Sequence, residues 1–368
     1  MILEHLKICN FKNIAEADLE FSPKINAFVG NNGMGKSNLL DAIYFMSFTR
    51  SFSGMTDQML IRRDESFAMI NAGYLRHGVR DELSMGMTRG RRKTLKRQGK
   101  EYQRISEHIG AFPVVISAPQ DVDLIRGTSE ERRRLMDMVI SQSDPVYLDH
   151  LIRYSRALEQ RNSLLRARIA DRNLYEAVEM VMDAAAEAIH SRRATWVAAL
   201  TEIFNATYHD IAGVNAENVS LEYISTLNDE PSLIRQLEAE RQHDEAVRHT
   251  TVGPHRDDIG MFVDSMPLKR AGSQGQIKTF AIALRLAQYE FLRLASPAGL
   301  RPLLLLDDIF DKLDASRVER IVETVTANPA YGQIFITDTN RSHLDEILRR
   351  TPGDNRLWSV ADGKFSPL

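Results

Sequence analysis

The sequence predicts an α/β protein: a phosphate-binding parallel sheet, an antiparallel β-subdomain attached to it, and a helical arm domain inserted into the chain. Three observations carry that expectation. Near the start, an apolar strand runs into a glycine-rich loop and then a helix. Near the end, a run of leucines closes on two aspartates. Between them the composition turns to Ala, Leu, Arg, Glu and Met at helical spacing.

Leu19-Glu20-Phe21 and Ile25-Asn26-Ala27-Phe28-Val29 read as short strands, and the second leads straight into Gly30-Asn31-Asn32-Gly33-Met34-Gly35-Lys36-Ser37. Leu39, Leu40, Ile43, Phe45 and Met46 then recur at helical spacing. That order is a phosphate-binding loop in its required context. Gly30, Gly33 and Gly35 are expected at positive φ, bringing the backbone close to phosphate, with the loop N–H groups and the positive helix end facing its oxygens. Residues Gly30, Asn31, Asn32, Gly33, Met34, Gly35, Lys36, Ser37 and Asn38 are the candidate nucleoside-triphosphate-binding set. Lys36 would reach the β- and γ-phosphates, and the Ser37 hydroxyl would ligate Mg²⁺.

Residues 67–116 alternate in short segments and predict an antiparallel sheet. Within them, Arg89, Arg91, Arg92, Lys93, Lys96, Arg97, Lys100 and Arg104 form a basic hairpin relieved only by Glu101. Such a hairpin is either an edge strand kept from aggregating by its charge or a surface for nucleic-acid phosphates. From about Glu130 to Thr207 helices follow, with Leu148, Leu151, Ile152, Leu158, Leu164 and Leu165 as one apolar stripe. Val178, Val181, Met182, Ile189, Trp196 and Leu200 form another. Pro145 and Asp171–Asn173 mark helix junctions, and a helix over 232–246 closes the insertion. Arms of some forty residues would reach at most about 60 Å, too short for a long coiled-coil tether.

Leu303-Leu304-Leu305-Leu306-Asp307-Asp308 predicts a central parallel strand with no polar face, ending in acids. Asp307 is the candidate Mg²⁺ ligand and Asp308 the candidate group that polarises an attacking water. Lys36 and Asp308 are thus the catalytic candidates, and Ser37 and Asp307 the metal candidates. Gln333 to Thr339 predicts another buried strand with a polar end.

The ordered motifs resemble the ABC-type ATPases, and among them the RecF family of recombination-repair proteins, related to the structural-maintenance-of-chromosomes ATPases. The resemblance covers the whole chain: Asn10-Phe11-Lys12-Asn13, Gly30–Tyr44, Gly127 with Arg132–Arg134, Gly253-Pro254-His255-Arg256-Asp257-Asp258, Ser273-Gln274-Gly275-Gln276, and Leu305–Asp314. It implies an ABC-type head divided as 1–118 (phosphate loop and β-subdomain), 119–248 (inserted helical domain) and 249–368 (signature motif and acid strand).

It further implies that Asn10 and Lys12 lie beside the nucleotide. Ser273 and Gly275 would cap the γ-phosphate held by a second copy, Asp314 would lie near the dimer seam, and Asp338 or Thr339 would replace a histidine that many relatives carry. Gln120 is a weak match for a glutamine loop, and Asp308 stands where most ABC heads have Glu. The function implied is ATP-dependent DNA binding in replication, recombinational repair and the damage (SOS) response. A homodimer would form on ATP, act as a clamp at gapped or single-strand/duplex DNA, and be released by slow, DNA-dependent hydrolysis. Recombination mediators are the implied protein partners. With that resemblance, Arg89, Arg91, Arg92, Lys93, Lys96 and Arg97 become the candidate DNA contacts. A chromosome-organising ATPase and a transporter's nucleotide-binding subunit are the alternatives.

Composition narrows the rest. The 368 residues carry 47 Lys+Arg against 50 Asp+Glu, a net charge of −3, so any DNA surface must be a local patch. Hydrophobic residues at 43% and charged residues at 26% exclude wholesale disorder. A single cysteine, Cys9, fits a reducing compartment, and with neither a signal segment nor a membrane span legible, the expectation is a cytoplasmic protein.

Overall fold

The computed structural model describes residues 1–213, 216–230, 232–296, 299–310, 313–351 and 353–368. The chain forms two compact units, one made of Met1–Asp121, Thr207–Val214 and Lys278–Leu368, the other of Val122–Ala206 and Asn215–Ile277. Residues 249–277, expected with the C-terminal part of the head, cluster with the helices instead. The reason is a sheet: the strand following Gly253-Pro254-His255 pairs along its whole length with one at 219–224.

In the first unit, β1 (Ile2–Phe11), β2 (Ile14–Glu20), β4 (Phe67–Arg76), β5 (Val79–Thr88), β6 (Thr94–Arg97) and β7 (Lys100–Glu101) form an antiparallel sheet in the order β2-β1-β4-β5-β6-β7. The second sheet contains β3 (Ile25–Val29), β8 (Val114–Ser117), β12 (Leu303–Asp307), β13 (Ile334–Asp338), β14 (Asn355–Ala361) and β15 (Lys364–Pro367). Its order is β15-β14-β3-β13-β12-β8, parallel except for the β14–β15 hairpin. β8 therefore leaves the antiparallel sheet expected through residue 116; its four residues are all buried, as a strand covered on both faces requires.

Helix α1 (Lys36–Phe48) contacts strands of both sheets, and its residues from Leu39 onward are buried. Its largely apolar sequence suits that position, and the buried Asp41 is paired with Lys12. The short α2 (Asp57–Leu60) follows it, and α11 (Ala315–Ala327) and α12 (Arg341–Arg350) follow β12 and β13. Register decides the chemistry: Asp307 lies opposite Thr337, and Asp338 opposite Val29, so β3, β12 and β13 end together. Ligands of open α/β sheets bind at such carboxyl ends.

The second unit holds α3 (Asp123–Arg126), α4 (Ser129–Ser143), α5 (Pro145–Ala167), most of α6 (Arg172–Ala212), α7 (Leu233–Ala239) and α8 (Arg241–Val247), so the helix expected over 232–246 is two. A three-stranded sheet of β9 (Val219–Ile224), β10 (Asp258–Val263) and β11 (Met266–Pro267) joins them, followed by α9 (Leu268–Ala271) and the start of α10 (Gln274–Ala295). The 41-residue α6 is about 60 Å long.

The buried stripe of α5 differs from the leucine reading. It comprises Tyr147, Tyr154, Ala157, Arg161 and Leu165, while Leu148, Leu151 and Leu158 are half-buried. Polar groups explain the difference. Arg161, fully buried, donates to Glu179 (2.8 Å), Asp244 (2.6 Å) and Thr250 (2.8 Å). Arg193 donates to Asp137 (2.8 Å), Asp257 (2.7 Å) and the Pro254 carbonyl (2.7 Å). Buried guanidinium groups persist only when paired in this way.

Candidate nucleotide site and basic surface

The phosphate loop keeps its shape through contacts on both sides. Gly33 and Gly35 have φ of 79° and 113°, as expected, and Gly35 is the N-cap of α1 with no side chain capping the helix. Gly30 departs from the expectation: its φ is not positive, and glycine is required there for space, because a Cβ would lie 2.3 Å from the Val360 carbonyl oxygen on β14. Asn13, in the β1–β2 turn, donates to the Gly33 carbonyl (3.3 Å) and accepts from Asn38 (2.7 Å). Gly363, in the β14–β15 turn, donates its N–H to the Met34 carbonyl (2.8 Å).

Asn32, Gly33, Gly35, Lys36, Ser37, Asn38 and Asp308 line a cavity of about 110 Å³ at the uncapped start of α1. There the N–H groups and the positive end of the helix favour an anion. The Lys36 ammonium, 3% exposed, donates to the carbonyls of Gly30 (2.7 Å) and Asn31 (3.2 Å) and stands 4.0 Å from Asp308. It rests on weak neutral acceptors at the mouth of an anion site.

Asp307 ends β12 with its carboxylate buried. Its Oδ1 accepts from the Ser37 hydroxyl (2.9 Å) and the Thr337 hydroxyl (2.7 Å). Burial pushes its pKa above the ordinary carboxylate value, while Thr337, Ser37 and Lys36 pull the other way. No group of three or more His, Cys, Asp or Glu able to hold a metal occurs among the described residues. The Ser37–Asp307 pair nevertheless fits Mg²⁺, which uses one or two protein oxygens and completes its shell with phosphate and water.

Asp308 follows at φ 44°, a left-handed conformation that Asp tolerates and that a fixed environment must hold. Thr337 supplies it, accepting the Asp308 N–H on both its carbonyl (3.3 Å) and its hydroxyl (3.1 Å). One threonine thus orients both acids. The sequence reading passed over Thr337 and Asn13; the signal for Thr337 was a lone hydroxyl closing the apolar run Ile334-Phe335-Ile336.

Other candidates sit as follows. The Lys12 ammonium lies 2.5 Å from the buried Asp41 carboxylate of α1 and 3.3 Å from Ser53, and Asn10 has a φ of 55°. Gln120 is exposed after β8, whereas its neighbour Asp121 is buried against Arg285 (2.6 Å). Asp338 accepts from the His343 ring (3.0 Å), so a histidine does reach this strand end, from the first turn of α12. Thr339 is exposed.

Ser273 caps α10, accepting the Gln276 N–H (3.2 Å) while Gln276 accepts the Ser273 N–H (2.7 Å) and donates to Glu217 (2.7 Å). The Ser273 hydroxyl oxygen accepts one N–H in this cap, and its proton has no acceptor among the described residues. Gly275 lies in the first turn of the same helix. Asp314 caps α11 (2.9 Å to the Arg317 N–H), and its hydrogen bond from Ser316 holds its pKa down. Asp311 and Lys312 of that motif lie outside the described residues.

The basic hairpin divides in two. Arg89 donates to the carbonyls of Glu65 (2.7 Å) and Arg62 (3.3 Å), Lys93 pairs with Asp57 (2.9 Å), and Arg97 pairs with Asp81 (2.7 Å). Burial opposes ionisation of Asp81, but Arg97 and Arg76 outweigh it and keep its pKa low. Arg91, Arg92 and Lys96 are exposed. The consecutive arginines Arg132–Arg134 do not form a patch: Arg132 chelates Asp258 (2.6 and 2.9 Å), Arg133 donates to the Asp257 carbonyl (2.7 Å), and Arg134 pairs with Glu130 (3.2 Å).

A phosphate loop on one strand, paired acids on the next strand but one, and a separate serine-glycine helix cap define an ABC-type ATPase head. The Smc head of Pyrococcus furiosus shares the fold, with a TM-score of 0.58 at 17% identity over 100% of this chain and 96% of that one. Residues 2–352 match the family described as RecF/RecN/SMC N terminal domain. "DNA replication and repair protein RecF" of Parabacteroides distasonis is 46% identical over 368 residues, 100% of both chains, and its namesake in Porphyromonas gingivalis is 46% identical over 366 residues, 99% of this chain and 100% of that one. A structure described as the recombination mediator protein RecF with ATPrS in the RecFOR pathway superposes with a TM-score of 0.88 at 27% identity, covering 100% of this chain and 98% of that chain. The chain belongs to the RecF family.

Proposed function

We propose that this chain is an ATP-switched DNA-binding protein of replication and recombinational repair. The observation that carries the nucleotide half is the convergence of Lys36, Ser37, Asp307, Asp308 and Thr337 on the uncapped start of α1. The DNA half is supported by full-length relatives named for replication and repair.

Lys36 would leave its two carbonyl partners for the β- and γ-phosphates, a stronger charge-assisted interaction. Ser37 and Asp307 would hold Mg²⁺, which supplies charge neutralisation between the phosphates. Asp308, aimed by Thr337, would orient the attacking water as a weak base. Ser273 and Gly275 would close the γ-phosphate site of a second copy, so that ATP brings two heads together and hydrolysis releases them. Arg91, Arg92 and Lys96 are the DNA contacts we favour, reading backbone charge and carrying little sequence preference. Mediator proteins and gapped or junction DNA complete the proposal.

DNA binding tests it, measured on gapped, duplex and single-stranded substrates with ATP, with ADP and with neither. ATP should tighten binding by the parent chain, and Lys36→Ala should erase that effect. Affinity indifferent to nucleotide in the parent would contradict the reading.

A further inference from the structure

The turn that carries Arg91 and Arg92 is fastened to the nucleotide site by two routes. Lys93, next in sequence, has its side chain 15% exposed and donates to the Thr49 carbonyl and to Asp57 (2.9 Å). Its ammonium also lies 5.2 Å from the centroid of the Phe45 ring. Thr49 is the C-cap of α1, the helix that begins at Lys36 and Ser37. A cation there meets the negative end of the helix dipole and an aromatic face together.

The second route runs through α2. Gly90 donates to the Gln58 side chain (3.4 Å) and Arg89 to the carbonyls that follow α2. The residues at the end of α2 bond in turn to the β1–β2 turn: Lys12 N–H to the Leu60 carbonyl and Arg62 N–H to the Asn10 carbonyl, both 2.8 Å. That turn delivers Asn13 to Gly33 and Lys12 to Asp41 of α1. By contrast, neither Arg91 nor Arg92 has a side-chain hydrogen bond or ion pair among the described residues.

We infer that Lys93 is a coupling strut between the DNA surface and the phosphate-binding helix, with Arg91 and Arg92 left to meet the DNA. The inference rests on the reading of that turn as the DNA contact. A shift of α1 when its N-terminal end takes up triphosphate is passed by Lys93 to the turn, and DNA on the turn biases α1 in return. Because such coupling is reciprocal, ATP must change DNA affinity by the same factor as DNA changes ATP affinity.

The test measures both factors, with duplex DNA and a slowly hydrolysed ATP analogue, in the parent chain, Lys93→Met, Asp57→Asn and an Arg91→Ala/Arg92→Ala double variant. The parent should show a factor of about ten in each direction. Lys93→Met should keep nucleotide-free DNA affinity and DNA-free nucleotide affinity within about twofold while both factors fall towards one. Asp57→Asn, which leaves the Thr49 contact, should lower them less, and it carries the test if Lys93→Met unfolds by thermal melting. Equal loss of DNA affinity by Lys93→Met in every nucleotide state would make Lys93 a phosphate contact and overturn the inference. Unchanged factors in Lys93→Met, or no coupling in the parent, would overturn it as well. Full DNA affinity in the double arginine variant would refute the surface reading and the strut with it, whereas lost affinity there with unchanged factors in Lys93→Met would overturn the strut alone.

Discussion

Thr337 shows how much one buried hydroxyl can carry. It bonds the Asp307 carboxylate and holds Asp308 at positive φ. Thr337→Val keeps the volume and removes both bonds, leaving a buried carboxylate short of a donor, at a cost of about 1–3 kcal/mol. Hydrolysis should fall at least about tenfold while ATP affinity changes only a few-fold, which single-turnover kinetics and equilibrium titration will separate. Two histidines make a prediction of a different kind. Burial pushes His108 and His255 down to about 4 from 6.5, and each is bonded as the neutral ring: His108 to the Met46 carbonyl, His255 between Tyr154 and the Thr250 carbonyl.

Between those values the unfolded chain binds the protons and the folded chain does not. Their stabilisation is therefore complete above about pH 6.5 and lost as pH falls towards 4, on the order of 3 kcal/mol for each ring. Denaturant midpoints should fall over that window, and His108→Gln should flatten the fall. At this scale the sequence displays Lys36, Ser37, Asp307 and Asp308 because their chemistry demands fixed spacing beside apolar strands. Thr337 and Asn13 stay hidden, since a threonine ending a strand and an asparagine in a turn are what any such segment uses. His255 of Gly253–Asp258 is held between Tyr154 and the Thr250 carbonyl, and the turn before it needs glycine: Gly253 has a φ of 111°, and a Cβ there would lie 2.6 Å from the Tyr154 hydroxyl oxygen.

Among elements, the β14–β15 hairpin has the largest unforeseen role. β14 flanks the phosphate-loop strand, its Val360 carbonyl fills the place of a Gly30 side chain, and the turn beyond it holds Met34. Gly30→Ala should displace the loop and weaken ATP binding at least about tenfold, while overpacking costs about 1–3 kcal/mol; calorimetric titration and thermal unfolding check the two parts. Nothing in Asn355–Ala361 marks it as a neighbour of β3, because parallel pairing partners are fixed by the whole sheet and leave no local signature. The α5 stripe departs for a related reason, whereas Met182, Ile189, Trp196 and Leu200 of α6 are buried as expected. Periodicity counts leucines, but α5 turns Tyr147, Tyr154 and Arg161 inward to meet polar and charged groups of other segments. Arg193→Met would leave Asp257 buried without its guanidinium and should cost about 3–5 kcal/mol, seen as an earlier urea midpoint.

At the scale of the whole molecule, the change in composition from about Glu130 to Thr207 marks helices of the second unit. The return point was not legible, because residues 249–277 are assigned by the β9–β10 pairing and not by any local feature. No described helix is long and apolar enough to cross a membrane. Among the described residues the candidate site brings a glycine loop, a lysine, a serine and two acids together at the start of α1. In the proposed dimer the Ser273 hydroxyl, which caps its own helix, is the group a second copy would bring. ATP as the bond between two copies is therefore the claim on which clamp formation and release depend. Sedimentation velocity with Mg-ATP, in the presence and absence of DNA, tests it most directly. The account predicts dimers with ATP, monomers with ADP, and monomers at every nucleotide for Ser273→Arg, which still binds ATP; monomers of the parent chain at saturating Mg-ATP, with DNA present, would contradict it.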